Sequence, residues 1–187
     1  MNVQSKPLTP ELWQDFVNLF GENGAHGGCW CMWWRISRKE FEQKQGEGNR
    51  ICMKAIVERG EIPGLLFYLQ GEPVAWCSVA PRENYAALNR SRVLKPIDDA
   101  KVWSLVCFFV GNDYRNQGII QSILKGVITY VDRQGGKVIE AYPKTPKDRR
   151  LSPVAIFMGL PSMFEKAGFE EVARPSNSRV IMRYFIE

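Results

Sequence analysis

The stretch from Val102 to Val131, VWSLVCFFVGNDYRNQGIIQSILKGVITYV, runs a buried-type strand through a short polar turn directly into an amphipathic helical pattern. At the turn, Arg115, Asn116, Gln117, Gly118, Ile119 and Ile120 place a glycine and a run of backbone amides where the helix begins, beside a fixed positive charge. The first N–H groups of a helix lack intrahelical partners, and the summed peptide dipoles make that end partly positive. A pyrophosphate can sit on such a turn.

This turn resembles the acetyl-CoA loop of the GNAT N-acetyltransferase superfamily: Arg or Gln, two variable residues, Gly, one variable residue, then Gly or Ala. Arg115 and Gly118 match, whereas Ile120 departs from the pattern. Since amides rather than side chains hold the phosphates, Ile120 is expected to restrict the approach of the backbone to the ligand without abolishing binding. Val110, at the end of the strand, and Tyr114, before the Arg, fall at the family's offsets. The later segment Met163-Phe164-Glu165-Lys166-Ala167-Gly168-Phe169 resembles the family's late helix ending at a Gly-Phe pair. There Gly168 suits a left-handed C-cap, and Phe169 can fold back onto the helix.

The resemblance is good over about residues 64 to 187 and implies an α/β (α+β) fold, one GNAT-like domain over residues 1–187. Its mixed, mostly antiparallel sheet is flanked by helices, and the parallel central strands splay apart. It further implies acetyl-CoA as donor, held by Phe108, Phe109 and Val110 along the strand and by Arg115, Asn116, Gln117, Gly118, Ile119 and Ile120 at the turn. A backbone amide near Val110 would polarise the thioester carbonyl. Phe164 falls where many relatives carry the tyrosine that protonates the departing thiolate.

Composition narrows the classes. A chain of 187 residues with 45% apolar content fits one domain with a sizeable core. Five cysteines without a disulfide-like spacing point to reduced thiols and a cytoplasmic setting. Residues 1 to 20, broken by Lys6, Pro7, Pro10, Glu11 and Asp15, provide no secretion signal or membrane span. The net charge of +5 reads as a mildly basic surface or an attraction for a polyanionic cofactor. Neither Arg90 and Arg92 nor the looser group Lys144, Lys147, Arg149 and Arg150 is interleaved with aromatics, so a nucleic-acid partner is not expected.

The pattern along the chain predicts an edge strand near Val3 to Lys6, then a helix capped by Thr9 with Pro10 at its first position and ending at Gly21. A second helical region starts near Ser37, is broken by Gly46 and Gly48, and resumes over Ile51 to Arg59. A hairpin follows from Leu65 to Gln70 and Val74 to Val79, then a long loop-like segment from Pro81 to Asp99. After the central strand and helix come a strand over Lys137 to Tyr142, a polar crossover over Pro143 to Pro153, the late helix, and strands over Glu170 to Arg174 and Arg179 to Phe185.

Direct acyl transfer to a primary amine needs orientation, carbonyl polarisation and proton routes. With Phe164 lacking a proton, Tyr142 is the candidate acid, against an ordinary strand aromatic. Glu140, which strand alternation puts on the same face as Tyr142, is the candidate base, against a side chain that points to solvent or pairs with a lysine. His26, the only histidine, is a weaker base candidate in a Gly-rich bend. Trp30, Trp33 and Trp34, within the run Cys29 to Arg35, form either an aromatic wall for the amine or a helix-packing cluster. A zinc site on His26, Cys29 and Cys31 lacks a fourth ligand, so no metal is expected. Cys77 and Cys107 read as small buried residues. The rival function is a non-catalytic acyl-CoA-binding sensor or structural domain, motivated by Ile120 and Phe164. The apolar strand Val180 to Ile186 leaves a homodimer open.

Overall fold

The computed structural model describes residues 3–145 and 157–187. Most of the expected crossover, with Lys147, Arg149 and Arg150, lies outside them. The described elements are β1 (Gln4–Pro7), a 3-10 turn (Pro10–Leu12), α1 (Trp13–Phe20), α2 (Arg38–Gln43), α3 (Glu47–Glu58), β2 (Leu65–Leu69) and β3 (Glu72–Pro81). They continue with α4 (Ala86–Asn89), β4 (Trp103–Val110), α5 (Ile119–Arg133), β5 (Val138–Ala141), α6 (Pro161–Glu165), β6 (Glu170–Ser176) and β7 (Arg179–Phe185).

One seven-stranded sheet, in the order β1-β2-β3-β4-β5-β7-β6, carries the fold. Neighbours are antiparallel except β4 and β5, which α5 joins as a parallel pair. The mixed, mostly antiparallel sheet flanked by helices is thus present as the sequence predicts.

Each face has its own core. On one side α5 lays Ile119, Ile123, Leu124, Val127 and Val131 against Leu65, Phe67, Ala75, Cys77 and Leu105. Each such apolar side chain contributes about 1.5–3 kcal/mol on burial. On the other side α1 and α3 supply Phe16, Phe20, Met53, Ile56 and Val57 to Leu66, Tyr68 and Trp76. A third cluster gathers Ala80, Tyr85, Leu88, Leu94, Val106, Tyr142, Met158 and Ile181.

Several local expectations are refined. Thr9 precedes the 3-10 turn without a side-chain cap bond, so α1 proper starts at Trp13. Ser37 closes a capping box with Glu40, as the helix-start signal predicts. Gly46 breaks the helical region, but Gly48 lies inside α3: packing of Met53, Ile56 and Val57 outweighs the cost of about 1 kcal/mol for a helical glycine. The segment after β3 is partly helical, because Tyr85 and Leu88 are buried. The late helix stops at Glu165, and Gly168, at φ +88, turns the chain so that the amide of Phe169 reaches the carbonyl of Phe164 at 3.0 Å. Phe169 then packs on Phe164, ring centroids 5.2 Å apart.

Candidate active site

The polar turn between β4 and α5 is built by short local bonds. Arg115 Nε donates to the Val110 carbonyl at 3.0 Å, and Gln117 Nε2 donates to the Asp113 carbonyl at 2.7 Å. Gly118 is the N-cap of α5 in the left-handed region, φ 76 and ψ 8, and a Cβ there would meet nothing within 4 Å. Arg115, Asn116, Gln117 and Gly118 are exposed, while Ile119 is buried in the α5 core. Ile120 packs half-buried against that same core, so its extra bulk is spent on packing. The first turn of α5, whose opening amides lack intrahelical partners, thus starts at an exposed turn that carries the Arg115 guanidinium, the chemistry an anionic pyrophosphate requires.

Next to this turn the parallel strands part. Pairing of β4 with β5 is confined to Trp103, Ser104 and Leu105 against Ile139, Glu140 and Ala141, and β4 runs on to Val110. Strand alternation sets the direction of each amide: Gly111 donates to Val74 of β3 at 2.9 Å, so Phe109 also faces β3, while Phe108 and Val110 face the opening. The Phe108 amide donates to the Phe157 carbonyl at 2.7 Å. Phe164 is fully buried, 5.9 Å from the Phe108 ring, and closes the α5 side of the opening.

Residues 30–151 match the sequence model of the Acetyltransferase (GNAT) family. The chain belongs to that family. It is a GNAT-type acetyltransferase, and acyl transfer from an acyl-CoA is its chemistry. Solved structures agree on the fold. A GNAT acetyltransferase from Streptococcus agalactiae 2603 has a TM-score of 0.57 at 16% identity, covering 100% of this chain and 97% of that one. The PaiA N-acetyltransferase from Thermoplasma acidophilum, in complex with coenzyme A, has 0.54 at 14% identity and 100% coverage of both chains. The ribosomal-protein-S18-alanine N-acetyltransferase from Escherichia coli has 0.50 at 16% identity, with 98% and 94% covered. No curated protein sequence matches the chain.

Within this GNAT framework Glu140 and Tyr142 meet, but not as an exposed acid and base. Arg82 Nη1 lies 3.1 Å from Glu140 Oε1, Arg183 Nε donates to Oε2 at 2.8 Å, and the Tyr142 hydroxyl donates to Oε1 at 2.7 Å. Arg82 also donates to the Tyr142 oxygen at 2.8 Å, Ser104 Oγ lies 2.7 Å from it, and Arg183 continues to Asp98 at 2.6 and 2.9 Å. Glu140 is 1% and Tyr142 0% exposed. Burial first, and then the Glu140 charge, hold the Tyr142 phenol well above its ordinary value. Both Glu140 oxygens are thus committed to two guanidinium groups, so the pair is a neutralised keystone joining β5, β7 and the segment after β3. Such an arrangement is that of a buried ion-pair cluster whose charges compensate one another.

The aromatic run divides. Trp30, 4% exposed, stacks on Phe20 and packs with Phe16 in the α1 core, so its faces are unavailable to an acceptor. Trp33 lies edge-on to Phe41 with Arg38 over its ring at 4.2 Å. Trp34 packs against the Tyr85 cluster and its buried indole nitrogen has no partner among the described residues. The packing reading of the run fits these placements. His26 is exposed, and among the described residues no group of three or more His, Cys, Asp or Glu side chains is placed to hold a metal ion.

Sequence reasoning passed over a cavity of about 260 Å³ between the end of α1 and the end of β4. Leu19, Phe20 and Phe109 line it, with Glu22 and Asn23 on one side and Arg115 on the other. The available signal was the pair of polar residues directly after the helix stop at Gly21. Ala25 on its wall and the nearby Trp30 and Cys31 all take positive φ, at 69, 41 and 59. Such backbone costs on the order of 1–3 kcal/mol per residue and clusters at functional sites.

Cys31 is also unusual chemically. The Trp76 indole donates to its sulfur at 3.2 Å, and the buried Arg35 nearby bonds only to the Pro63 carbonyl and the Tyr85 hydroxyl, with no carboxylate among the described residues. The neighbouring Cys107 thiol, the indole and the Arg35 charge hold the Cys31 thiol below its ordinary value. Its folded value lies below the ordinary 9.0, so its contribution to stability is full above the unfolded value and is lost as pH falls through the lowered folded value. Thiolate absorbance of the folded protein is expected to rise below the ordinary thiol range, and Cys31→Ser should remove that step. Ionisation of every thiol at or above the ordinary value would make Cys31 an inert core residue.

Proposed function

We propose that the protein transfers an acetyl group from acetyl-CoA directly to a primary amine of a small molecule or peptide. The observation that carries this reading is the left-handed Gly118 cap, which presents the first-turn amides of α5 to solvent beside the parted strands. Those amides and Arg115 hold the pyrophosphate, and the β4 amides that face the opening take the carbonyls of the donor's arm. Among them, an amide at Phe108 or Val110 polarises the thioester carbonyl without demanding a particular side chain.

The cavity flanking β4 supplies the acceptor side. Phe20, Phe109 and Leu19 offer an apolar wall for the body of the amine, and Glu22 offers the carboxylate that attracts its cation and takes up its proton. With Phe164 at the usual tyrosine position and Tyr142 sealed in the buried cluster, water protonates the departing thiolate. Free CoA thiol is expected to be released only when an amine is present to take the acetyl group. Glu22→Gln should raise KM for cationic amines about tenfold with little change in acetyl-CoA affinity; equal KM values would remove Glu22 from the acceptor site. Saturable acetyl-CoA binding with no turnover across an amine panel would instead favour a non-catalytic acyl-CoA-binding domain. A soluble cytoplasmic enzyme accords with the five free cysteines and with the absence, among the described residues, of a helix long and apolar enough to cross a membrane.

A further inference from the structure

The opening between β4 and the continuation of β5 is bridged by the chain itself. On one side Phe108 donates to the Phe157 carbonyl at 2.7 Å; on the other, Lys144 donates to the Gly159 carbonyl at 3.2 Å. Residues 157–159 therefore lie between the diverging strands with one main-chain bond to each. Beyond Tyr142 the β5 side is held to β7, through Val180 to the Pro143 carbonyl at 3.4 Å and Thr145 to the Ser178 carbonyl at 3.0 Å.

The inserted residues are seated. Met158 is 1% exposed among Val106, Tyr142 and Ile181, and its sulfur accepts from Arg179 Nη1 at 3.2 Å. Gly159 has φ +83, and a Cβ there would fall 2.6 Å from the Phe164 ring and 3.3 Å from the Phe108 ring. The backbone is pressed onto the two aromatics that border the opening, at a position no other residue fits without displacement.

We propose that Phe157–Gly159 is a built-in competitor of the acyl donor. Its Phe157 carbonyl occupies the β4 amide that a carbonyl of acyl-CoA must use, and the donor binds by taking its place. The inference rests on the acyl-CoA reading above. The exchange is carbonyl for carbonyl, so the Phe108 amide stays satisfied throughout, and a strand edge that would otherwise be exposed is covered before the donor arrives. The cost of exchange lies in unseating Met158 from its cluster. Apparent donor affinity is then the intrinsic affinity reduced by the fraction of molecules whose opening is clear. Donor arrival and rearrangement of residues 157–159 are one coupled event.

Amide NMR of the ¹⁵N-labelled full chain, titrated with CoA and acetyl-CoA, tests this directly. Gly118, Ile119 and Ile120 report on the pyrophosphate; Phe108 and Lys144, whose acceptors are Phe157 and Gly159, report on the opening. The expected result is saturable shifts in both sets, with the Lys144 amide losing its protection from exchange. Shifts at the turn with Phe108 and Lys144 unchanged would overturn the competitor and leave the acyl-CoA reading intact. No shift in either set would overturn both. Met158→Ala, which loosens the seat, is expected to tighten acetyl-CoA binding about tenfold by making the clear state more populated. Unchanged or weaker binding by a folded variant counts against the proposal. If that variant does not fold, the half-buried Phe157 provides Phe157→Ala, with the same direction expected and the same adverse outcome.

Discussion

Gly118→Asp is expected to lower acetyl-CoA affinity by about 100-fold or more while leaving the fold intact. A Cβ at Gly118 meets nothing within 4 Å, so space is not the obstacle. Two other effects act. The left-handed φ of 76 costs a residue with a side chain on the order of 1 kcal/mol, and a carboxylate is placed at the amides proposed to receive the pyrophosphate. At about 4 Å two unit charges repel by roughly 1 kcal/mol in bulk water and about 4 kcal/mol near a protein surface. The electrostatic effect therefore dominates. Gly118→Asn separates the two, because asparagine tolerates the same backbone without the charge; its loss should stay within about tenfold. Calorimetric titration with acetyl-CoA reads both variants, and unchanged affinity for the aspartate variant would move the pyrophosphate away from this turn.

Glu140→Ala should cost about 3–5 kcal/mol of stability, since it leaves Arg82 and Arg183 charged and buried without their shared carboxylate. Against a total of about 5–15 kcal/mol this is a large fraction. For a chain of this size the midpoint of thermal unfolding should fall by about 6–20 °C. Arg183 retains Asp98, so the greater strain falls on Arg82, whose remaining partners are the Tyr142 hydroxyl and the Leu94 carbonyl. Glu140→Gln keeps the volume and one acceptor and should cost less. Turnover per folded molecule should be unchanged in both, so that total activity follows the folded fraction. A glutamine variant of unchanged stability whose turnover collapses would restore Glu140 as a base.

These two sites differ in how much of them the sequence reveals. The proposed phosphate turn is local: Arg115, Gly118 and the apolar period of Ile119, Ile123, Leu124, Val127 and Val131 lie in one continuous segment. Strand, turn and helix cap follow from periodicity, backbone freedom and unpaired first-turn amides. The Gly168-Phe169 stop was legible for the same reason. The keystone is the opposite case. Glu140 and Tyr142 could be placed on one face of a strand, but nothing local indicates that Arg82 and Arg183, 58 and 43 positions away, close over that face. A carboxylate on an apolar strand reads equally as a base or as half of an ion pair until its neighbours are known.

In the sequence by itself, the segments Val102–Val131 and Met163–Phe169 resemble those of the family, and that resemblance implied the mixed sheet with its parallel central pair; the place of the Arg115–Ile120 turn followed from hydrogen bonding and periodicity within one continuous segment. Only the tertiary structure decided which faces are available for chemistry. It sent Trp30 into the α1 core, sealed Glu140 and Tyr142 beneath two arginines, opened a cavity beside Glu22, and laid residues 157–159 across the parted strands. Burial and ion pairing depend on contacts between segments distant in the chain, and those contacts, rather than residue type, set whether a side chain packs or reacts.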